Sequence, residues 1–223
     1  MCWSKKVSIS MFILGTVFNV LVWKLLNNDK QIKVLILTSQ FILFMQLFDA
    51  IIWSHQPCSD VRNNKINKKV NVVQMVFNLL QPIVFFALSI VYMRAEISDK
   101  NKNIAFFIIC FYMLYFAILL IKQYRSQCSE PVDEHLRYYW WDQLSDGYFS
   151  GSIFFIVMTA LFLLLIVPYK FALVVVIYSA ISFLISILIY GINNSGVVGH
   201  MWCFYQVILP LVVYFGYISV VNK

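Results

Sequence analysis

Charge is scarce in this 223-residue chain, where Asp, Glu, Lys and Arg make up 12% of the residues, about half the share usual in soluble proteins. The shortage excludes a separate water-soluble domain, because stretches such as 106–121 and 154–167 are apolar nearly all round and would aggregate in water. Histidine is also thin. His55, His135 and His200 all fall between the apolar runs, which leaves no imidazole for hydrolytic chemistry inside a bilayer. No Cys-x-x-Cys or His-x-x-x-His spacing occurs, so no metal site is expected. The last apolar run lacks a lysine for a retinal Schiff base, and no glycine-rich loop is present to cradle phosphate. No internal repeat marks a transporter built from two halves. No cofactor is therefore expected.

What is abundant is hydrophobic sequence, at 61% of residues. A helix needs about 20 mostly apolar residues to cross a hydrocarbon core about 30 Å thick. Seven runs approach or exceed that length: 7–26, 32–53, 70–93, 104–121, 152–167, 171–190 and 201–221. They predict an all-α integral membrane protein, a single domain over 1–223. The architecture expected is a seven-transmembrane-helix bundle with an interfacial helix between helices four and five. The first run follows Lys5 and Lys6 as a signal peptide would, but it is too long, lacks a small-residue cleavage site and leads straight into a second run.

The formal net charge is +7, yet the seventeen Lys and Arg residues are spread over short loops and form no single basic face. That distribution argues against nucleic acid as a partner. It divides almost evenly between the two ends of the bundle, so the positive-inside rule gives no orientation. Cysteine placement is more informative. Cys2, Cys58, Cys128 and Cys203 all fall on the amino-terminal side, and Cys110 alone lies deep within a run. Four cysteines on one face fit an oxidising compartment and allow three connectivities, among which Cys2 with Cys203 and Cys58 with Cys128 is favoured. This places the amino terminus and the cysteine-rich face outside or in a lumen, and the carboxyl terminus in the cytoplasm.

Two loops are long, 54–69 and 123–151. In the second, Ser129 suits a helix cap, Pro131 a first turn, and Asp133 and Glu134 the positive helix end. Leu136, Trp140, Leu144 and Tyr148 then recur every four residues, which predicts an amphipathic helix lying flat at the interface.

Polar chemistry concentrates on three helices. Helix three carries Asn71, Gln74, Asn78 and Gln81 along one face, and Pro82 favours a kink beside them. Helix two carries Gln46 and Asp49, the latter the one acidic residue well inside a run, at a depth expected to match Gln74. Helix seven adds Gln206, Pro210, Tyr214 and Tyr217. Together they predict a polar vestibule, open toward the amino-terminal face and narrowing toward Asn19 and Tyr214. Ser179, Ser182 and Ser186 read as small residues that let helices approach.

The opening Met1-Cys2-Trp3-Ser4 resembles that of a family of small multi-pass membrane proteins, known mainly from bacteria and of uncharacterised function. The resemblance extends to Gln46 and Asp49, to Cys58, to the Gln81-Pro82 step and to Trp202-Cys203. The chain departs from that pattern in having Gln46 where an acid is expected, and in lacking a histidine on helix three. The resemblance implies a shared architecture and a joint role for Cys2 and Cys203.

The leading functional expectation is a channel or transporter for protons, a small cation or a small polar solute. In it Asp49 selects charge or accepts a proton, and Gln46, Gln74, Asn78, Gln81 and Gln206 replace hydration. A receptor-like or scaffold protein that binds without flux is the second expectation, and a thiol redox protein using Cys2 and Cys203 the third. The partners expected are the lipid bilayer and the solute, with a homo-oligomer left open.

Overall fold

The computed structural model describes residues 4–26, 28–123, 127–132, 135–139, 150–166, 169–191, 197–198, 201 and 205–221. Among the described residues seven α-helices form: α1 (Lys5–Leu25), α2 (Lys30–Ser54), α3 (Val61–Met93), α4 (Asp99–Gln123), α5 (Ser150–Ile166), α6 (Tyr169–Tyr190) and α7 (Leu209–Val221). A 3₁₀ turn, Gln206–Ile208, leads into α7. α1, α2, α3, α4 and α6 are long and apolar enough to cross a membrane, while the apolar parts of α5 and α7 are shorter, Phe154–Leu165 and Gln206–Ser219.

Polar residues at the helix starts explain the boundaries. Ser4 caps α1 by accepting the Val7 N–H at 3.3 Å, and Asp29 caps α2 by accepting the Gln31 and Ile32 N–H groups at 2.8 and 3.1 Å. Ser98 caps α4 through the Asn101 N–H at 3.2 Å. At its far end α6 stops at Gly191, whose φ of 77° is the left-handed conformation that glycine adopts without a Cβ penalty.

The third helix starts well before the expected Val70. Asp60 accepts the Asn63 N–H at 2.8 Å and so caps a helix that begins at Val61. The asparagines of this added segment tie it to the preceding turn, with Asn63 donating to the Gln56 carbonyl at 3.1 Å and Asn64 to the Cys58 carbonyl at 2.8 Å. At 33 residues and about 1.5 Å per residue the helix is about 50 Å long, well beyond a hydrocarbon core. It runs without a break through Pro82. Beside the proline, the Tyr112 hydroxyl of α4 donates to the Leu79 carbonyl at 2.9 Å.

The helix expected to start at Ser129 is replaced by a short antiparallel pair, β1 (Pro131–Val132) and β2 (His135–Leu136), in register Pro131 to Leu136 and Val132 to His135. The physical reason is that Ser129 spends its hydrogen bonds on α3 and cannot cap a helix. Trp140, Leu144 and Tyr148 of that expected helix lie outside the described residues, as do Cys2 and Cys203.

Two apolar clusters fill the bundle. Toward the cysteine-bearing end Met45, Met75, Leu79, Tyr112, Phe116, Phe155 and Phe183 pack together; toward the other end Ile32, Leu35, Phe85, Ile109, Phe162, Val175 and Val213 do so. The perimeter is apolar too: Ile13 is 56% exposed, Phe107 73% and Leu188 82%. A water-soluble protein does not leave so much apolar surface uncovered. α1 lies close against α2 at Gly15, where an added Cβ would meet Leu43 Cδ2 at 2.6 Å. Next to this contact Asn19 donates to Gln40 at 2.9 Å, and Gln40 to Thr16 at 3.1 Å.

Candidate functional site

The amide stripe of α3 divides into three levels with different partners. At the first, Asn67 and Asn71 clamp the segment that follows α4. Asn67 accepts the Ser129 N–H at 2.9 Å and donates to the Ser129 carbonyl at 3.1 Å. Asn71 accepts the Ser129 hydroxyl at 2.8 Å and donates to the Gln127 carbonyl at 3.2 Å. Gln56, from the turn after α2, adds a second donor to the Ser129 carbonyl at 2.7 Å. A Cys58–Cys128 disulfide, with Cα atoms 6.1 Å apart, fastens the same segment covalently. This is one of the two bridges favoured from cysteine placement.

The second level is a closed triangle. Gln74 Nε2 donates to Asp49 Oδ1 at 2.8 Å and to the Tyr138 hydroxyl at 2.9 Å, and that hydroxyl donates to Asp49 Oδ1 at 2.6 Å. The depth match between Asp49 and Gln74 expected from the sequence is present. The open mouth is not: Asp49 and Gln74 are 0% exposed and Tyr138 is 1% exposed. Tyr138 reaches this position because β2 carries the chain back over the bundle, with the Arg137 N–H donating to the Glu130 carbonyl at 3.1 Å. Gln46 is buried one turn deeper on α2.

At the third level Gln81 Nε2 donates to Asn78 Oδ1 at 3.0 Å. Gln81 and Gln206 then meet on the wall of a central cavity of about 70 Å³. Five segments enclose it: α2 (Leu35, Thr38, Ile42), α3 (Gln81, Pro82, Phe85), α5 (Phe155, Thr159, Leu163), α6 (Val175, Ser179) and the turn into α7 (Gln206, Leu209). The Thr38 and Thr159 hydroxyls donate to carbonyls one turn back, Val34 and Phe155, each at 2.8 Å, which leaves their oxygens as acceptors. Gln206 is held by its reach to Ser182 at 3.5 Å, and Tyr178 fixes the turn by donating to the Tyr205 carbonyl. Phe85, Leu163, Val175 and Leu209 on the cavity wall belong to the second apolar cluster, so this part of the wall is apolar.

Of the residues singled out from the sequence, Asp49 and Gln74 come together, Asn78 and Gln81 come together, and Gln81 and Gln206 share the cavity. Asp49, Gln46 and Gln74 do not line it. Tyr214 packs against the apolar cluster beyond it, its ring 5.3 Å from Phe215. The sequence pattern does not single out Asn67, Tyr138, Thr38 or Thr159, and it gives Ser129 a helix-capping role in place of its bonds to α3. For Asn67 a signal was available, since it lies one turn before Asn71 on the same face. No family model, curated protein or solved structure matches the chain.

Proposed function

We propose that this chain is a seven-span membrane protein, receptor-like, whose central cavity binds a small neutral molecule with an apolar body and one hydrogen-bond donor. The carrying observation is the cavity itself: apolar on most of its wall, without a charged residue, and edged by Gln81, Gln206, Thr38 and Thr159. A mostly apolar wall with a few convergent polar groups is the usual make-up of a small-molecule site. A water needs about 10–15 Å³ of such cavity space, so about 70 Å³ suits a molecule of about five or six heavy atoms. The Cys58–Cys128 bridge supports an oxidising compartment on that face, hence an outer or lumenal amino terminus and a cytoplasmic carboxyl terminus. Residues 127–132 and 135–139 then act as a lid over Asp49.

Burying about four methylenes from water is worth about 3 kcal/mol and a neutral hydrogen bond about 1 kcal/mol. A short alkanol is therefore expected to bind with a Kd near 1 mM, equivalent to about 4 kcal/mol. Saturation-transfer NMR with 1-butanol on the protein in lipid nanodiscs tests this. The Gln81→Leu, Gln206→Leu double variant should weaken binding several-fold, and equal transfer in the two proteins would remove the cavity as the site.

Proton or small-cation translocation through Asp49 is the second reading. It is favoured by Gln74 Oε1 and Asn78 Nδ2, a buried acceptor and a buried donor one turn apart, neither with a partner among the described residues. A chain of water would join Asp49 to the cavity there. Proton flux in proteoliposomes that Asp49→Asn abolishes would establish this reading; flux unchanged by Asp49→Asn would dismiss it.

A further inference from the structure

A second cavity, about 60 Å³, lies between α5 and α6 and is lined by Ile156, Thr159, Ala160, Leu163, Val176, Ser179 and Ala180. Three of these residues, Thr159, Leu163 and Ser179, also line the central cavity. The two spaces are thus opposite faces of one thin partition. On its outer side the groove is open because Ala160 and Ala180 are small, and it is flanked by Val157, Leu161, Ile177 and Ile181, which are 46%, 39%, 48% and 51% exposed on the apolar perimeter. Among the described residues on the aqueous side, the fully buried Asp49, Gln74 and Tyr138 triangle and the disulfide-fastened segment stand in the way.

Resting on the binding reading above, we infer that the ligand reaches the central cavity sideways from the bilayer, between α5 and α6, with Thr159, Leu163 and Ser179 as the gate. The ligand class follows from this path. It is a lipid-soluble, neutral, slender molecule with a terminal hydroxyl or N–H group, because a charged or strongly hydrated one would have to shed its water into hydrocarbon first. Between lipid and cavity the apolar body gains nothing by transfer, since both surroundings are hydrocarbon-like. Selection therefore lies in the donor group, which meets acceptor oxygens at Thr38 and Thr159 and the amides of Gln81 and Gln206. Opening the gate calls for only a rotamer change of Leu163 and a small separation of two helices whose facing residues are short. That motion is far smaller than releasing a disulfide-tethered segment.

The test uses 4-fluorobutan-1-ol as probe and ¹⁹F saturation-transfer exchange on the full chain in lipid nanodiscs. Wild-type protein should give a bound resonance in exchange with free probe. Ala160→Trp and Ala180→Trp fill the groove without touching the central cavity, and each should keep the bound shift while slowing exchange at least tenfold. Ile177→Trp, on the perimeter beside the groove, should exchange as the wild type does. Ala180→Leu, a milder filling, serves if a tryptophan variant loses its fold. A bound resonance whose exchange is unaltered in both groove-filling variants overturns the lateral path and leaves the binding reading standing. Absence of any bound resonance in the wild type overturns the binding reading, and the path with it.

Discussion

Replacing Tyr138 by phenylalanine removes one oxygen from the fully buried triangle and changes little else, since the ring stays in its apolar cluster with Met75 and Phe183. Two hydrogen bonds go: the 2.6 Å bond to Asp49 and the 2.9 Å bond from Gln74. A hydroxyl bonded to a carboxylate contributes about 1.5–3 kcal/mol, whereas Gln74 retains its other partner, Asp49, so its loss is the smaller share. A total of about 2–3 kcal/mol is expected, and by the relation of about 1.4 kcal/mol per tenfold this raises opening of the lid segment about 30- to 150-fold. The Arg137 amide is the natural reporter, because its hydrogen bond to the Glu130 carbonyl must break when Tyr138 lifts away. Hydrogen exchange at that amide should accelerate by the stated factor in Tyr138→Phe, while amides in the middle of α1 and α2 stay unchanged. Exchange at Arg137 within threefold of the wild type would show that the triangle does not hold the segment down, and the latch would have to be given up.

Three further outcomes follow from other contacts. Asn67→Ala leaves the buried Ser129 N–H without its acceptor, a loss of about 1–3 kcal/mol that thermal melting in detergent should register, whereas alanine at the exposed Lys65 should not shift the melt. Cys128→Ser removes a cross-link spanning 70 residues, for which the chain-entropy estimate is a loss of about 4 kcal/mol; thermal melting in detergent should register a fall, and an unchanged melt would contradict a formed bridge. Gly15→Ala presses a methyl into Leu43 at 2.6 Å and should destabilise by about 1–3 kcal/mol, with Leu43→Ala restoring part of the loss in a double-mutant cycle.

How much of this was legible in the sequence varies with the range of the signal. The spacing from Trp53 back to Asp49 and along α3 to Gln74 put both side chains at one depth, and they meet at 2.8 Å. Cysteine placement likewise suggested Cys58 with Cys128. In the segment after α4, Ser129, Pro131, Asp133 and Glu134 look locally like a helix start. What decides there is non-local: two asparagines on α3 and a disulfide claim Ser129 and Cys128 first. The added turns of α3 were hidden for a related reason, since Arg62, Lys65, Lys68 and Lys69 carry no apolar period and read as a loop until Asp60 and the asparagines are placed in space. The cavity left the least trace. Thr38, Thr159 and Ser179 are ordinary hydroxyl residues on apolar helices, and only the packing of five segments brings them around one space.

The central cavity, as proposed, ends inside the bundle and takes up a small donor-bearing molecule. A high-resolution density map of the protein in lipid nanodiscs with 4-bromobutan-1-ol tests this most directly. The expected result is one bromine-bearing feature in the cavity, its hydroxyl within hydrogen-bonding distance of Gln81, Gln206, Thr38 or Thr159, and no ordered water beyond Phe85 and Leu209. An unoccupied cavity, or a continuous file of water from Asp49 past Leu209 to the opposite face, would contradict it.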